Sequence, residues 1–113
     1  MQREFIYTGL FQEAWKELDL TDDDLHKLEL HLMESPGEGS IIENTGGLRK
    51  LRWALPGRGK SSGIRILYAD YKTYGIMLMV LAYPKNKREN ITDAEKIVMK
   101  QLLYQFKRSI AGG

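Results

Sequence analysis

The sequence predicts a single α+β domain over residues 1–113, with an N-terminal helical hairpin, a mainly antiparallel curved sheet and a C-terminal helix. Apolar residues recur at helical spacing near both ends of the chain, and three short β-branched, aromatic or alternating runs lie between them. Together with a strand at the N-terminus, these segments give the predicted order β-α-α-β-β-β-α, which is typical of an α+β fold with one sheet. A length of 113 residues with 42% hydrophobic content suffices for one core.

The first third of the chain is predicted to form one strand and two helices. Residues Arg3–Tyr7 alternate as a short strand does, and a helix should begin near Thr8–Leu10. Thr21 suits an N-cap and Asp24 occupies the third helical position after it, so this pair should start the second helix. That helix should end before the turn-forming segment 35–37.

Three strands are predicted after a loop over Gly37–Gly47. They cover Leu48–Leu55, Ile64–Tyr71 and Ile76–Tyr83. Residues 56–63 are rich in turn formers and should join the first two strands as a hairpin. The third strand is apolar at nearly every position, which suits a strand that is covered on both faces.

The last helix is predicted to follow Thr92, which forms a capping-box pattern with Glu95, and to end near Ile110. The N-terminus contains acids and no apolar segment, so we expect no signal peptide. No apolar run reaches the length of a membrane span, so we expect no membrane partner. The absence of cysteine fits a reducing compartment, and the expected location is the cytoplasm.

Charge is distributed unevenly along the chain. Residues 1–43 contain eleven acidic and three basic residues, whereas residues 44–69 contain six basic residues and no acid. The six are Arg49, Lys50, Arg52, Arg58, Lys60 and Arg65, and a second basic group follows at Lys85, Lys87 and Arg88. This asymmetry indicates a surface for a polyanion. The alternative is an ordinary solvated face that the acidic half balances.

Most of the usual catalytic sets are missing from the sequence. It has no cysteine nucleophile and no Gly-x-Ser-x-Gly motif, and the Gly-Lys-Ser at 59–61 lacks the upstream glycine of a phosphate-binding loop. His26 and His31 lie five residues apart, a spacing that does not place both on one helix face, so we interpret them as structural. The residues therefore offer no thiolate metal site and no phosphate-binding loop, and they argue against histidine ligands.

The remaining candidate site is a group of cations on the predicted sheet. Lys50 and Arg52 are two residues apart and share a strand face, and Arg65 lies on the next strand. Lys85 and Lys87 open the loop after the third strand, so all five can converge at one end of the sheet. The alternatives are a solvated face for the first two and, for Arg65, an ion pair with an N-terminal acid.

Such a group of cations suits a scissile phosphate. RNA can be cut without a metal when its own 2′-hydroxyl attacks the phosphorus, and fixed cations stabilise the anionic phosphorane that forms. A lysine among other cations can have a lowered pKa, and it can then exchange a proton near neutral pH.

Three blocks of the basic region form a recognisable pattern: Gly-Gly-Leu-Arg-Lys at 46–50, Gly-Arg-Gly-Lys at 57–60 and Arg-Ile-Leu-Tyr at 65–68. Together with Tyr-Pro-Lys-Asn at 83–86, they resemble the core of RelE/HigB-type toxins of bacterial type II toxin–antitoxin modules. The resemblance implies a microbial RNase-like fold that needs no metal or cofactor. It also implies cleavage of messenger RNA, usually on the ribosome, and neutralisation by a cognate antitoxin.

The same resemblance implies roles for individual residues. By position, Lys50 and Arg52 match the basic pair before the hairpin, and Arg65 matches the arginine of the Arg-x-x-Tyr strand. Lys85 matches the lysine that opens the loop after the central strand, and these four are the predicted catalytic residues. The predicted RNA-binding residues around them are Arg49, Arg58, Lys60 and Lys87.

The sequence departs from the RelE pattern in two places. Asn86 stands where the best-known members have a second arginine, and residues 89–92 contain no aromatic counterpart of their catalytic tyrosine. The general base is therefore unassigned, with Lys85 and Lys87 as candidates.

Two other functions are open at this point. ParE-type relatives share the fold and inhibit DNA gyrase instead of cutting RNA. A plain RNA-binding module ranks third, because Trp53 and Tyr68 are better explained as core residues than as stacking platforms for bases. In each case the acidic helical hairpin should pack on the sheet face opposite the cations.

Overall fold

The computed structural model describes residues 2–55 and 63–112 of the chain. Within these ranges, a five-stranded sheet has helices packed on both faces. In chain order the elements are β1 (Glu4–Tyr7), α1 (Gly9–Glu17), α2 (Asp22–Glu34), β2 (Ser40–Ile41), β3 (Arg49–Trp53), β4 (Ile64–Tyr71), β5 (Ile76–Pro84) and α3 (Asp93–Ile110). A short 3-10 turn, Lys72–Tyr74, joins β4 to β5.

The strands lie in the order β1-β5-β4-β3-β2, so β4 and β5 are interior. β1 runs parallel to β5, and the other neighbours are antiparallel. The register places Arg65 of β4 opposite Arg52 of β3 on one side and opposite Tyr83 of β5 on the other. The predicted element order and the mainly antiparallel sheet are confirmed.

The two faces of the sheet are covered by different helices. On one face, α1 and α2 pack on side chains such as Ile66, and on the other α3 packs on side chains such as Leu67. Because side chains alternate along a strand, Arg65 shares the α3 face with Leu67. The register then places Lys50 and Arg52 on the α3 face as well. The acidic helical hairpin therefore packs opposite these cations, as predicted.

The helices begin where the sequence supplies caps. The Thr21 hydroxyl accepts a hydrogen bond from the Asp24 N–H at 3.1 Å, and the Asp24 carboxylate accepts one from the Thr21 N–H at 2.9 Å. Thr92 and Glu95 form the same reciprocal pair at the start of α3. Both pairs satisfy amide donors that have no partner inside the first helical turn, which explains why the predicted helix starts are confirmed.

The segment 37–47, predicted as a loop, contains a short strand. Ser40–Ile41 pairs antiparallel with the first two residues of β3. The Arg49 guanidinium stabilises this pairing by donating to the carbonyl oxygens of Gly37 at 3.1 Å and Gly39 at 2.6 Å. Two residues are too few to show an alternating pattern, so the sequence did not predict this strand.

Other element bounds follow the prediction with small differences. β4 covers the predicted Ile64–Tyr71, whereas β3 spans Arg49–Trp53 and not the whole of Leu48–Leu55. The prediction of a hairpin loop concerns residues 56–62 above all, and these lie outside the described residues. None of the helices in the described ranges has the length and apolar character needed to cross a membrane.

Candidate functional site

Two arginines and a tyrosine form a row across three neighbouring strands. Arg52 of β3 is the register partner of Arg65 of β4, which is in turn the partner of Tyr83 of β5. Register partners share a face of a sheet, and Lys50 lies on that face too because it is two residues from Arg52. Strand alternation thus places three cations on the α3 face.

The carboxylate of Glu89, in the loop between β5 and α3, lies among these three cations. Arg65 donates to it through two nitrogens, with Nε 2.5 Å from Oε2 and Nη2 2.9 Å from Oε1. Arg52 Nη2 is 3.4 Å from Oε1, and Lys50 Nζ is 4.0 Å from Oε2. One negative charge therefore faces three positive charges, and the cluster keeps a surplus of positive charge. We call these four residues the cation cluster.

The ion pairs of the cation cluster set its protonation state. Hydrogen bonds from Arg65 lower the pKa of Glu89 to about 2 from its ordinary 4.5, and the charges of Arg65, Lys50 and Arg52 act in the same direction. The same hydrogen bonding raises the pKa of Arg65. Burial raises the pKa of the neighbouring Tyr83. At neutral pH, Glu89 is therefore an anion, Arg65 is a cation and Tyr83 keeps its proton.

The loop that carries Glu89 is held by contacts that do not involve its carboxylate. The Tyr83 hydroxyl donates to the Glu89 carbonyl oxygen at 2.9 Å, and Lys50 Nζ donates to Asn90 Oδ1 at 2.7 Å. The guanidinium of Arg88 lies over the Tyr83 ring, 4.9 Å from its centroid. The main chain of the loop is thus fixed, and among the described residues the hydrogen bonds and ion pairs of the Glu89 carboxylate all go to the cations.

The three cations differ in exposure. The Arg52 side chain is 75% exposed, that of Lys50 18% and that of Arg65 9%. Arg52 is therefore open to a long anionic chain, whereas Arg65 is almost fully covered. The alternative interpretation, in which Arg65 pairs with an N-terminal acid, is wrong, because its partner is Glu89.

The structure brings together three of the five cations that were expected to converge. Lys85 and Lys87 are exposed, and their side chains form no hydrogen bond or ion pair within the described ranges. Lys87 instead lines a groove beside α1 together with Leu10 and Glu17. A role for either lysine in catalysis or RNA binding stays a prediction.

The other predicted RNA-binding residues lie elsewhere or outside the described ranges. Arg49 is next to Lys50 along β3, so its side chain leaves the opposite face of the strand. Its guanidinium is engaged by two backbone carbonyl oxygens near β2, which is a structural contact. Arg58 and Lys60 belong to the segment that the structure does not describe.

Glu89 was not predicted as a site residue. It is the only acid between Asp70 and Asp93, and it directly follows the basic group that ends at Arg88. It also begins segment 89–92, where the RelE pattern places a group for proton transfer. The isolated acid in that segment was the signal that could have revealed it.

The fold and the site together define the class of this protein. It is a small α+β domain that carries a cluster of cations on one face of its sheet. A family model described as "RelE toxin of RelE / RelB toxin-antitoxin system" matches residues 5–110. The chain therefore belongs to the RelE toxin family, and it is a toxin of a toxin–antitoxin system.

A solved structure shows the same fold. A double arginine-to-alanine mutant of the E. coli toxin RelE in the free state matches with a TM-score of 0.52 and 19% sequence identity. This match covers 79% of this chain and 90% of that chain. The E. coli DinJ–YafQ toxin–antitoxin complex matches with a TM-score of 0.41 and 11% identity, over 80% of this chain and 100% of the other.

Proposed function

We propose that this toxin is a metal-independent endoribonuclease that cuts messenger RNA on the ribosome and thereby stops translation in the cytoplasm. A cognate antitoxin is its proposed inhibitor. The observation that carries the proposal is the cation cluster, in which Lys50, Arg52 and Arg65 surround one anionic group. A carboxylate held by three cations occupies the kind of position that a phosphate of RNA can take.

The cations fit the electrostatic needs of RNA cleavage. Attack by the 2′-hydroxyl places additional negative charge on the phosphorus centre, and cations that are already in position stabilise it without reorganisation. Arg65 is fixed on an interior strand, with its guanidinium held by two hydrogen bonds. Its planar fork matches two phosphate oxygens as it now matches two carboxylate oxygens.

Lys50 is the proposed donor for the leaving group. Its ammonium group lies 2.7 Å from Asn90 Oδ1 and 3.4 Å from the Glu89 carbonyl oxygen, so it has a fixed position next to Arg52. A positioned ammonium group can protonate the departing 5′-oxygen. Lys85 stays a predicted catalytic residue, and its side chain is exposed on the loop that follows β5.

The proposal is tested by inducing the toxin in cells and mapping the 5′ ends of their messages. We expect new 5′ ends within coding regions for the wild type, and none for Arg65→Ala or Lys50→Ala. Lys72→Ala is the matched control, because Lys72 is an exposed lysine in the β4–β5 connection and should leave cleavage unchanged. A chelator would also dissociate the ribosome, so metal independence is tested on the cleaved ends. Attack by the 2′-hydroxyl, without a metal-activated water, should leave fragments that end in a 2′,3′-cyclic phosphate.

Intact transcripts in the wild-type strain would overturn the proposal. In that case a supercoiling assay with purified gyrase would test the ParE-type alternative on the same fold. Inhibition of gyrase with intact RNA would assign the toxin to that alternative class.

A further inference from the structure

Two ion pairs in this molecule differ in a way that bears on Glu89. Arg3 and Asp70 form a one-to-one pair, with contacts of 2.7 and 3.2 Å and side chains that are only 2% and 14% exposed. The Glu89 side chain is 43% exposed and faces three cations. The first pair is closed and neutral, as a structural pair should be, whereas the second is open and has a surplus of positive charge.

Glu89 is also the only side chain in the cation cluster that can take a proton. Charged lysine and arginine side chains are hydrogen-bond donors without an acceptor site, and the amide oxygen of Asn90 is not a base. Because Tyr83 and Lys50 hold the main chain of the loop, the Glu89 side chain can leave Arg65 without moving the loop. A carboxylate next to a phosphate-sized group of cations has the position that a proton acceptor needs.

We propose that Glu89 is the general base of RNA cleavage by this toxin, an inference that rests on the proposed function. The O–H bond of the 2′-hydroxyl breaks, its proton passes to a Glu89 oxygen, and the 2′-oxygen forms a bond to phosphorus. The bond between phosphorus and the 5′-oxygen then breaks, and that oxygen takes a proton from the Lys50 ammonium group. The products are a 2′,3′-cyclic phosphate and a 5′-hydroxyl, and solvent returns the proton from Glu89 to Lys50.

Entry of RNA changes the basicity of Glu89 in the required direction. Without RNA, the hydrogen bonds from Arg65 and the charges of Lys50 and Arg52 hold the pKa of Glu89 at about 2, which makes it a weak base. A bound phosphate engages the same cations and adds a negative charge beside the carboxylate. Both effects raise the pKa of Glu89, so the base is strengthened only when the substrate is in place.

Single-turnover cleavage of messenger RNA on programmed ribosomes tests this role. Glu89→Gln keeps a hydrogen-bond acceptor for Arg65 but cannot take the proton. We expect it to bind ribosome-held RNA at least as tightly as the wild type, because a neutral side chain competes less with phosphate. Its cleavage rate should fall by about 10²- to 10⁴-fold. Glu17→Gln, the same change at an exposed position of α1, should cleave at the wild-type rate.

A second variant and a stability measurement keep the test decisive. Glu89→Asp retains the carboxylate and should cleave faster than Glu89→Gln but more slowly than the wild type. Urea unfolding shows whether each variant is folded. If Glu89→Gln does not fold, Glu89→Asp decides. A displaced base lowers the cleavage rate at saturating RNA and leaves RNA binding unchanged, whereas a displaced counter-ion shifts Arg65 and weakens RNA binding as well.

The two proposals fail in different ways. If the wild type cuts RNA and Glu89→Gln cuts at the same rate or faster, Glu89 is only a counter-ion and this inference is wrong. If the wild type itself leaves RNA intact, the proposed function is wrong, and the role of Glu89 in cleavage is wrong with it.

Discussion

Arg52 and Arg65 lie directly opposite each other on neighbouring antiparallel strands, and the Glu89 carboxylate accepts a hydrogen bond from each. Like charges in directly opposite positions destabilise a strand pair. Glu89 therefore allows the sheet to hold two arginines side by side before any RNA is bound. A phosphate of RNA can replace this carboxylate at the same cations. The two arginines thus need an anion for the stability of the sheet, and in the proposed function they bind one.

Substitution of Arg65 tests whether the shape of the guanidinium matters as well as its charge. Arg65→Lys keeps the positive charge but loses the two-pronged contact that the structure shows with Glu89. We expect single-turnover cleavage to fall by about 10²- to 10³-fold in Arg65→Lys and at least as far in Arg65→Ala. A lysine variant that cuts as fast as the wild type would show that charge alone is sufficient.

Arg52→Ala should weaken binding to RNA without destabilising the fold. The Arg52 side chain is 75% exposed and its contact with Glu89 is 3.4 Å long, so little stability depends on it. Removing one phosphate contact should reduce the slope of log affinity against log salt by about 1. The measurement is a salt titration of ribosome or RNA binding.

Arg49→Ala is the matched control for Arg52→Ala. It removes an arginine of the same strand, but one whose guanidinium contacts backbone oxygens next to β2. It should lower the urea midpoint and leave the salt slope unchanged. The reverse pattern, with Arg49 affecting the slope and Arg52 the stability, would contradict the assignment of the two faces.

Acid should remove the stabilising effect of Glu89. Its pKa is about 2 in the folded protein and 4.5 ordinarily, so folding favours the ionised carboxylate. This contribution is fully present above pH 4.5 and is lost as the pH falls towards 2. The difference in urea midpoint between the wild type and Glu89→Gln should therefore shrink across that range.

A second acid that titrates in the same pH range does not obscure this measurement. The N–H of Thr92 and the guanidinium of Arg88 lower the pKa of Glu95 by hydrogen bonding. Glu95 is present in both proteins, so its contribution cancels in the difference between the wild type and Glu89→Gln. A difference that stays constant from pH 5 to pH 2 would show that the ion pairs of Glu89 contribute nothing to stability.

Much of the sheet could be predicted because strand alternation is a local property of the sequence. It placed Lys50 and Arg52 on one face, and the hairpin prediction placed Arg65 beside them, as observed. The position of Glu89 could not be predicted in this way. The loop before α3 takes its conformation from tertiary contacts, above all the hydrogen bond from Tyr83, and these have no local pattern.

Two further differences between the prediction and the structure also arise from tertiary contacts. Arg49 was expected at the RNA surface because it belongs to the basic run, but its side chain leaves the opposite face and donates to the Gly39 carbonyl oxygen, just before β2. β2 itself has only two residues, Ser40 and Ile41, and it exists because β3 offers an edge for pairing. A run of charged residues in the sequence indicates a charged surface, but the fold decides which residues of the run lie on that surface.

Asp70→Ala should destabilise the protein while leaving the chemistry of cleavage intact. It would leave the Arg3 side chain, which is only 2% exposed, without the carboxylate that now pairs with it. Removing one partner of a buried pair costs about 3 kcal/mol. Urea unfolding measures the loss, and cleavage by the folded fraction should match the wild type.

Asp23→Ala is the surface control for Asp70→Ala. Asp23 and Lys27 form a pair of 3.3 Å whose side chains are 76% and 52% exposed. Exposed pairs of this kind contribute roughly 0–1 kcal/mol, so this change should hardly move the urea midpoint. Equal effects of the two substitutions would show that the Arg3–Asp70 pair is not a structural element of the sheet.

Gly39→Ala should destabilise the sheet near Lys50, because no room exists for a side chain there. A Cβ at this position would lie 2.9 Å from Cε1 and 3.0 Å from the hydroxyl of the fully buried Tyr68, and 3.1 Å from the Lys50 carbonyl oxygen. The Gly39 N–H also donates to the Tyr68 hydroxyl at 3.0 Å, and that hydroxyl donates to the Pro36 oxygen at 2.8 Å. The methyl group must therefore displace either β3 or a core tyrosine.

The expected cost of Gly39→Ala is about 1–3 kcal/mol, measured by urea unfolding. Gly37→Ala is the matched control, since a Cβ at Gly37 would have no atom within 4 Å. Because a Cβ at Gly39 would press on the Lys50 carbonyl oxygen, this substitution should also slow cleavage by the folded protein, whereas Gly37→Ala should not. If both alanine variants unfold at the same urea concentration, the close packing of Gly39 against Tyr68 does not exist in solution.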